Sequence, residues 1–187
     1  MNVLKIKECG FDEAVLGFSL SYNTDIERVK QILPKYAFGV PGEGKFLEQI
    51  MLWVDVTAPR FWWSEADTYR VGTCKQSESS MHTITKKFLT QNNFEYPIFE
   101  ETLDGLNNLI HKYKSETEPD IKIDLLLKIK DNLPEGFLQR RIWMFSYKTL
   151  QNIYVQRNNH KLPQWKYFIS ILLSQIDHPE FIVKKGN

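Results

Sequence analysis

Two stretches of the chain concentrate side chains that could bind or transform a small molecule. Val56–His82 combines aromatic, acidic, basic and hydroxyl residues directly after a long apolar run, and Arg140–Trp165 is rich in basic and aromatic residues. Arginine forks and lysine point charges are the usual protein groups for holding phosphate. The basic residues that lie next to apolar segments are Arg70, Lys75, Lys130, Arg140, Arg141, Lys148 and Arg157. For any one of them, a solvated surface position is the competing interpretation.

The sequence indicates candidate catalytic side chains less clearly than candidate phosphate-binding side chains. Glu65, Asp67 and Glu78 could act as acids or bases, although solvated carboxylates are the simpler interpretation. His82 has no nucleophilic partner at a recognisable spacing, so we do not expect a catalytic triad. The pair Trp62–Trp63 could offer one ring for stacking on a ligand, but packing in the core is the favoured role.

The spacing of the basic residues and one apolar helix both indicate assembly of several subunits. Lys148 and Arg157 are nine residues apart and cannot share one helical face, whereas Asn152 shares the face of Lys148. The segment Ile121–Leu133 is more apolar than an amphipathic surface helix, so it is expected to be buried or to form a subunit contact. We therefore expect an oligomer.

The overall composition argues against several classes of protein. The 187 residues carry a net charge of +1, which gives no general reason to bind nucleic acid or an acidic membrane, so a nucleic-acid interaction has only local basic clusters in its favour. Cys9, Cys74 and the four histidines show neither metal-ligand spacing nor a disulfide framework. The N-terminus has no apolar signal segment, and no run approaches the ~18 apolar residues of a membrane span. We expect a single domain, 1–187, of a reduced, cytoplasmic protein.

Apolar periodicity and turn residues predict the order of elements in the first third of the chain. Val3–Ile6 is predicted to be an edge strand and Phe11–Phe18 a short helix. A second helix is predicted from a capping box at Thr24–Glu27 to Pro34. The glycine-rich segment Gly39–Gly44 lacks the spacing of a phosphate-binding loop, and we interpret it as a flexible connection.

The middle of the chain predicts a central strand that turns sharply into a helix. Ile50–Ala58 is nearly all apolar and rich in strand-forming residues, which is typical of a strand covered on both faces. Pro59 suits the first position of a helix, so the chain is predicted to turn there into a helix over Arg60–Ala66. Tyr69–Cys74 is predicted to be extended and Ser77–Ser80 to be a loop.

The second half of the chain is predicted to be mainly helical. The expected helices are Phe99–Tyr113, Ile121–Leu133, Tyr147–Arg157 and Trp165–Ile176. A charged linker is expected at Ser115–Asp120 and a short strand at Arg140–Phe145. We find no internal repeat. The pattern indicates an α/β protein in its α+β form, with a small sheet flanked by helices.

The residues after the central strand resemble the signature of the flavin-dependent thymidylate synthases. That signature, RHRxxSxNxxSxR, begins about nine residues after an apolar strand that ends in Ala-Pro, and the same register here begins at Thr68. Without a gap, Arg70 keeps the second arginine and Thr73 keeps the hydroxyl. The positions that depart from the signature are Thr68 for Arg, Tyr69 for His, Lys75 for Asn, Glu78 for Ser and Ser80 for Arg.

Flanking motifs extend this resemblance from Gly44 to Trp165. Glu48 keeps a glutamate that precedes the strand in the family. The family has a Leu-Pro pair, a tryptophan, and a helix with Leu, Asn and a phosphate-binding Arg; the ungapped equivalents are Leu133-Pro134, Trp143, Leu150, Asn152 and Arg157. The resemblance therefore depends on spacing over most of the chain more than on identity.

The resemblance implies a fold, an assembly and a set of ligands. It implies a small mixed sheet with helices, a homotetramer, FAD held between subunits, and a deoxyuridylate (dUMP) site beside it. Reduced flavin would supply hydride and methylene-tetrahydrofolate the carbon, with NADPH as a further cofactor and no side-chain nucleophile. By position, the residues that would face the flavin are Ser21, Thr68, Tyr69, Arg70, Ser146, Lys148 and Asn152. Those that would face the nucleotide are Glu65, Gln76, Glu78, Ser79, Ser80, Lys130 and Arg157.

The departures from the signature leave two hypotheses open. Ser80 removes a cation from the nucleotide side, and the Glu78 carboxylate would repel a phosphate dianion. Lys130 in place of arginine keeps the charge but not the bidentate fork. The first hypothesis is a divergent enzyme of nucleotide biosynthesis that transfers a one-carbon unit to a pyrimidine deoxynucleotide. The second is a catalytically inactive relative that acts as a nucleotide-binding or assembly protein.

Overall fold

The computed structural model describes residues 1–39 and 43–184. The strands are β1 (Asn2–Cys9), β2 (Met51–Pro59), β3 (Thr73–Ser77) and β4 (Leu138–Ser146). The helices are α1 (Phe11–Tyr22), α2 (Ile26–Tyr36), α3 (Arg60–Ala66), α4 (Ser80–Thr83), α5 (Glu100–Ser115), α6 (Pro119–Asp131), α7 (Tyr147–Arg157) and α8 (Pro163–Leu173), with short 3-10 helices at Glu43–Glu48, Gln91–Asn93 and Pro179–Phe181. This arrangement confirms the α+β class.

The four strands form one sheet in the order β1-β2-β4-β3. The sheet is antiparallel, where the resemblance led us to expect a mixed one. Strand β2 is central and β1 is at the edge, as predicted. On the inner face of β2, Leu52, Val54 and Val56 are fully buried, whereas the alternate residues are partly exposed. The burial of these branched and apolar side chains explains why this run forms the centre of the sheet.

The chain divides into two compact units, each with its own core. The hairpin unit comprises Met1, 57–66 and 77–141, and its core lies where α5 packs on α6 through residues such as Leu106, Ile110 and Ile129. The main unit comprises the described residues of 2–56, 67–76 and 142–187. Its core includes Trp143 and Phe168, whose rings stack with centroids 5.7 Å apart.

The turn from strand to helix at Pro59 is confirmed. Strand β2 ends at Pro59 and α3 begins at Arg60, because proline lacks the N–H that a ladder needs but fits the start of a helix. Trp62 and Trp63 on α3 are both fully buried. The indole N–H of Trp63 donates to the carbonyl of Gln139 at 2.9 Å. Both tryptophans are therefore core residues, in agreement with the packing role.

Helix α2 differs from its prediction at both ends. Its N-cap is Asp25, not Thr24, and the Asp25 carboxylate accepts from two helical N–H groups at 2.9 and 3.3 Å. The helix also continues past Pro34 to Tyr36. Proline removes only its own donor, and the next turn is still closed by the N–H of Ala37, which donates to a carbonyl at 3.0 Å.

The segment that aligns with the family signature also differs from its predicted secondary structure. The extended segment predicted at Tyr69–Cys74 begins only at Thr73, because Gly72 adopts a left-handed conformation (φ +63°) that glycine tolerates best. The predicted loop Ser77–Ser80 ends in the single-turn helix α4. In the glycine-rich segment Gly39–Gly44, residues 40–42 lie outside the described part of the chain.

Candidate functional site

A cleft of about 620 Å³ lies in the main unit where β4 leads into α7. Helix α7 has the predicted bounds, and it places a hydroxyl, an ammonium and an amide along one side of this cleft. The residues that line it are Glu48, Met51, Val71, Gly72, Thr73, Met144, Ser146, Lys148, Thr149 and Asn152. Three of them, Ser146, Lys148 and Asn152, were predicted to face a flavin. The structure thus brings three of the seven residues in that set to one cleft of ligand-binding size.

The first turn of α7 is held by side-chain hydroxyls. Ser146 is the buried N-cap, and its Oγ accepts the backbone N–H of Thr149 at 3.2 Å. Thr149 Oγ1 donates to the carbonyl of Val71 at 3.3 Å, which ties the loop before β3 to the helix. A Cβ added to Gly72 would lie 3.7 Å from Thr149 Oγ1, so this wall of the cleft is close but not crowded. The backbone N–H of Tyr147 donates to the carbonyl of Ile50 at 2.9 Å, so the start of α7 is fixed by bonds within the main unit.

Lys148 lies at a second cleft as well, of about 400 Å³. Its ammonium donates to Gln151 Oε1 at 2.9 Å. Gln151 is buried, and its amide donates to the carbonyls of Ala37 (2.9 Å) and Phe181 (3.1 Å). Because these two bonds fix the Gln151 amide, its oxygen holds the Lys148 charge at the wall of both clefts.

Arg157, at the end of α7, belongs to a cluster with Tyr69 and Trp165 that we call the arginine clamp. The Arg157 Nε–H donates to the Tyr69 hydroxyl at 3.1 Å, and that hydroxyl donates to Gln156 Oε1 at 2.9 Å. The guanidinium carbon lies 5.2 Å from the centroid of the Trp165 ring and 5.8 Å from that of Tyr69. The two rings meet edge-on at 5.9 Å. The Tyr69 hydroxyl and the rings of Tyr69 and Trp165 therefore all contact the Arg157 guanidinium.

Lys75, which stands where the family signature has asparagine, is engaged inside the main unit. Its ammonium lies 4.6 Å from the centroid of the Trp143 ring and donates to the carbonyl of Tyr69 at 3.1 Å. It also lies 3.6 Å from the Asp67 carboxylate. Asp67, a candidate acid or base, is thus part of an ion pair that supports this loop.

Other residues predicted to face the flavin are less closely grouped. Thr68 and Arg70 are exposed on the loop between α3 and β3. Ser21 is exposed on α1 and lines a separate cleft of about 480 Å³ together with Glu43 and Lys45. Ser21 does not line the cleft that holds Ser146, Lys148 and Asn152. Its assignment to the flavin therefore depends only on its position in the sequence.

The residues predicted to face the nucleotide divide between the two units. Gln76 and Arg157 belong to the main unit, and the remaining five, all in the hairpin unit, are Glu65, Glu78, Ser79, Ser80 and Lys130. Within the hairpin unit, Lys130 at the end of α6 donates to Ser80 Oγ at 3.3 Å. The backbone N–H of Glu78 donates to the carbonyl of Arg140 at 2.9 Å, while its carboxylate side chain is exposed. The Lys130 ammonium therefore contacts Ser80, which is one of the positions where this chain departs from the family signature.

Several residues of the clefts were not predicted from the sequence. Thr149 and Gln151 lie three and five residues after Ser146, and the spacing Ser-x-x-Thr at a helix start is a readable N-cap pattern. Gly72 and Glu48 carry no such local signal, because their position depends on how distant segments meet. Among residues 1–39 and 43–184, no group of three or more His, Cys, Asp or Glu is arranged to hold a metal ion. In the same part of the chain, no helix is long and apolar enough to cross a membrane.

Comparison with solved structures identifies the fold. Thymidylate synthase X (ThyX) from Helicobacter pylori with FAD and dUMP is similar over 98% of both chains, with a TM-score of 0.77 and 16% sequence identity. A second structure of the flavin-dependent thymidylate synthase ThyX from Helicobacter pylori, also complexed with FAD and dUMP, gives a TM-score of 0.74 at 18% identity and the same coverage. No protein-family model and no curated protein matches the sequence. The chain therefore has the fold of the flavin-dependent thymidylate synthases over nearly its whole length.

Proposed function

We propose that this chain is a divergent flavin-dependent thymidylate synthase-like protein that binds FAD and dUMP and transfers a one-carbon unit to the nucleotide. The observation that carries the proposal is the cleft at the start of α7, where Ser146, Lys148 and Asn152 meet in the unit that also holds the arginine clamp. The similar structures, which contain FAD and dUMP, support the ligand classes.

The residues of the 620 Å³ cleft fit a flavin cofactor. Lys148, Ser146 and Asn152 supply an ammonium, a hydroxyl and an amide, which suit phosphate oxygens and the polar edge of a flavin ring. Met51 and Met144 give the cleft flexible apolar side chains that can pack on a flat ring. Bound and reduced, FAD would supply the hydride. The chain's own residues would bind and orient it, with Thr68 and Arg70 on the loop before β3 proposed as further contacts.

The nucleotide would be held chiefly by its phosphate. We assign Arg157 as the main phosphate ligand and Lys130 as a second cation, and we propose Gln76, Glu65, Ser79 and Ser80 as polar contacts. The Glu78 carboxylate opposes this role, since an exposed negative charge repels a dianion. We therefore expect dUMP to bind more weakly than it would to a site with the full signature.

A catalytically inactive relative that binds nucleotide or serves assembly is the second candidate. It is favoured by the arginine clamp, because Tyr69 replaces the signature histidine and its hydroxyl is bonded to Arg157. It is also favoured by Ser80, which replaces an arginine and is contacted by Lys130. As a nucleotide-binding protein this candidate differs from the enzyme only in turnover, and as an assembly protein it needs neither ligand.

We also propose that the protein is a homotetramer. Helix α6 buries Leu125, Leu126 and Ile129 but exposes Ile121, Ile123 and Leu127, of which each is about half accessible. Ile123 and Leu127 are four residues apart and share one exposed face of the helix, and exposed apolar side chains grouped in this way are typical of a subunit contact. Light scattering at micromolar concentration should give a mass near four times 22.1 kDa, and a clean monomer would contradict the proposal.

Flavin binding and turnover can be tested in one series. The purified protein is incubated with FAD, freed of unbound flavin by gel filtration, and examined by absorption spectroscopy. It is then supplied with dUMP, methylene-tetrahydrofolate and NADPH, and deoxythymidylate is measured by chromatography. Bound flavin with product formation supports the enzyme. Bound flavin or dUMP without product supports the inactive relative as a nucleotide-binding protein. Binding of neither ligand contradicts the enzyme and the nucleotide-binding relative and leaves only an assembly role.

A further inference from the structure

We infer that Tyr69 is a positioning residue for Arg157, so that its hydroxyl sets the direction from which the guanidinium grips a nucleotide phosphate. This inference rests on the proposed function, which assigns Arg157 to phosphate. By sequence register Tyr69 was expected to face the flavin. The structure instead places its hydroxyl against Arg157 Nε at 3.1 Å.

The hydrogen bonds of the Tyr69 hydroxyl have a defined direction. The hydroxyl donates its single proton to Gln156 Oε1 at 2.9 Å, so a lone pair of the oxygen accepts from Arg157 Nε–H. Gln156 and Arg157 are adjacent on α7, and Tyr69 bridges them from a loop more than 80 residues earlier. A phenol that both donates and accepts here fixes the loop and the arginine with respect to each other.

The geometry of a guanidinium makes this bond compatible with phosphate binding. An end-on bidentate grip uses the two terminal nitrogens and leaves Nε to a protein acceptor. A bond at Nε together with stacking at 5.2 Å on Trp165 restricts rotation of the side chain before any ligand arrives. Restricting the rotamers in advance reduces the entropy that binding must overcome. The phosphate-binding arginine is therefore pre-organised by a residue that itself has no need to touch the phosphate.

The variant Tyr69→Phe tests this directly, because it keeps the ring and removes only the hydroxyl. We expect the Kd for dUMP, measured by calorimetry without flavin, to rise by about three- to tenfold, the range expected for one lost hydrogen bond. Binding of deoxyuridine, which lacks the phosphate, should not change. Tyr167→Phe on α8 is the matched control, since this exposed tyrosine lies outside the clamp, and it should leave both affinities unchanged.

Two further measurements separate positioning from general support. In an Arg157→Ala background, Tyr69→Phe should have no additional effect on dUMP affinity, because the residue acts through the arginine. The Nε–H resonance of Arg157, assigned by its loss in Arg157→Ala, should shift or exchange faster in Tyr69→Phe without any ligand.

The outcomes distinguish this inference from the proposed function. If the wild type binds dUMP and Tyr69→Phe binds it equally well, the positioning role is wrong while the proposed function stands. Equal weakening of dUMP and deoxyuridine, or an undiminished effect in the Arg157→Ala background, would also overturn it. If the wild type binds no dUMP, the nucleotide side of the proposed function fails together with the inference.

Discussion

The two cations proposed to hold the nucleotide phosphate, Arg157 and Lys130, are supported very differently within their own units. Arg157 has a hydrogen bond at Nε and aromatic rings on which its guanidinium stacks. Lys130 has a 3.3 Å bond to Ser80 Oγ at the end of α6. Lysine is a point charge on a flexible stem, whereas the arginine fork is planar and directional. Arg157 is therefore held in a defined orientation, whereas Lys130 offers its proposed ligand a charge with little directional restraint.

Replacing Arg157 should have the largest effect on nucleotide binding. In Arg157→Ala, the Kd for dUMP should rise by about tenfold or more, since a charged hydrogen bond contributes roughly 1.5–3 kcal/mol. The free energy of unfolding should fall by about 1–2 kcal/mol, from the lost aromatic contacts and the lost bond to Tyr69. Calorimetry and thermal denaturation measure the two quantities. Arg28→Ala, on the exposed face of α2, is the control and should alter neither; an unchanged Kd in Arg157→Ala would make the arginine structural.

A second tyrosine of the main unit provides a purely structural contrast to the clamp. Tyr147 is fully buried, donates to the Glu8 carboxylate, and accepts the backbone N–H of His178 at 3.2 Å. Tyr147→Phe should lower the free energy of unfolding by about 1–2 kcal/mol, because it leaves buried polar groups unpaired. It should not alter the ratio of dUMP to deoxyuridine affinity. A change in that ratio would show that the two tyrosine networks are not separate in function.

The same tyrosine predicts a pH dependence of stability. Burial, together with the bond to Glu8, raises the pKa of Tyr147 well above its ordinary value. Above about pH 10 the unfolded tyrosine loses its proton while the folded one keeps it. The unfolded state then binds fewer protons, so stability should fall as pH rises in this range. Urea titrations at pH 9 to 11 should show a shallower loss in Tyr147→Phe than in the wild type, and equal slopes would contradict the assignment.

Removing the charge of Lys130 should have a smaller effect than removing Arg157. In Lys130→Met, the Kd for dUMP should rise by about three- to tenfold, the range of one hydrogen bond. Lys128→Met is the matched control, because Lys128 lies on the same helix and pairs with Asp124 at 2.6 Å. Lys130→Arg should bind at least as tightly as the wild type. A larger loss in Lys130→Met than in Arg157→Ala would reverse the proposed ranking of the two cations.

Removing the carboxylate of Glu78 should have the smallest effect, and in the opposite direction. Glu78→Gln should tighten dUMP binding by about two- to threefold, because an exposed charge repels the phosphate only weakly through solvent. The gain should shrink as salt is added. Glu101→Gln, at an exposed position of α5, is the control. Weaker binding in Glu78→Gln would mean that the carboxylate contacts the nucleotide favourably.

The sequence predicted the elements whose signals are local. The turn at Pro59 was predicted because proline both ends a ladder and begins a helix, and the bounds of Tyr147–Arg157 follow from its apolar spacing. Errors arose where local signals compete. Thr24 and Asp25 are both good N-caps, and Asp25 takes the position. Gly72 was not recognised as the left-handed residue that delays β3.

The candidate site was predictable in its residue types but not in its contacts. Ser146, Lys148 and Asn152 lie on one short stretch, so their convergence follows from the helix that carries them. The bond between Tyr69 and Arg157 joins residues 88 positions apart and has no signal in the sequence. The separation of Ser21 from the other flavin candidates depends likewise on how α1 packs in the main unit.

We propose that the cleft at the start of α7 binds a flavin, and a spectral titration tests this binding. The apoprotein is titrated with FAD, and the absorption and fluorescence of the flavin are followed in the wild type, in Lys148→Met, and in the exposed control Lys166→Met on α8. We predict saturable binding with a perturbed flavin band in the wild type and in Lys166→Met, and binding at least fivefold weaker in Lys148→Met, as expected for a lost charged contact. A flavin spectrum that stays that of free FAD at every protein concentration, or equal binding in Lys148→Met, would contradict this assignment of the cleft.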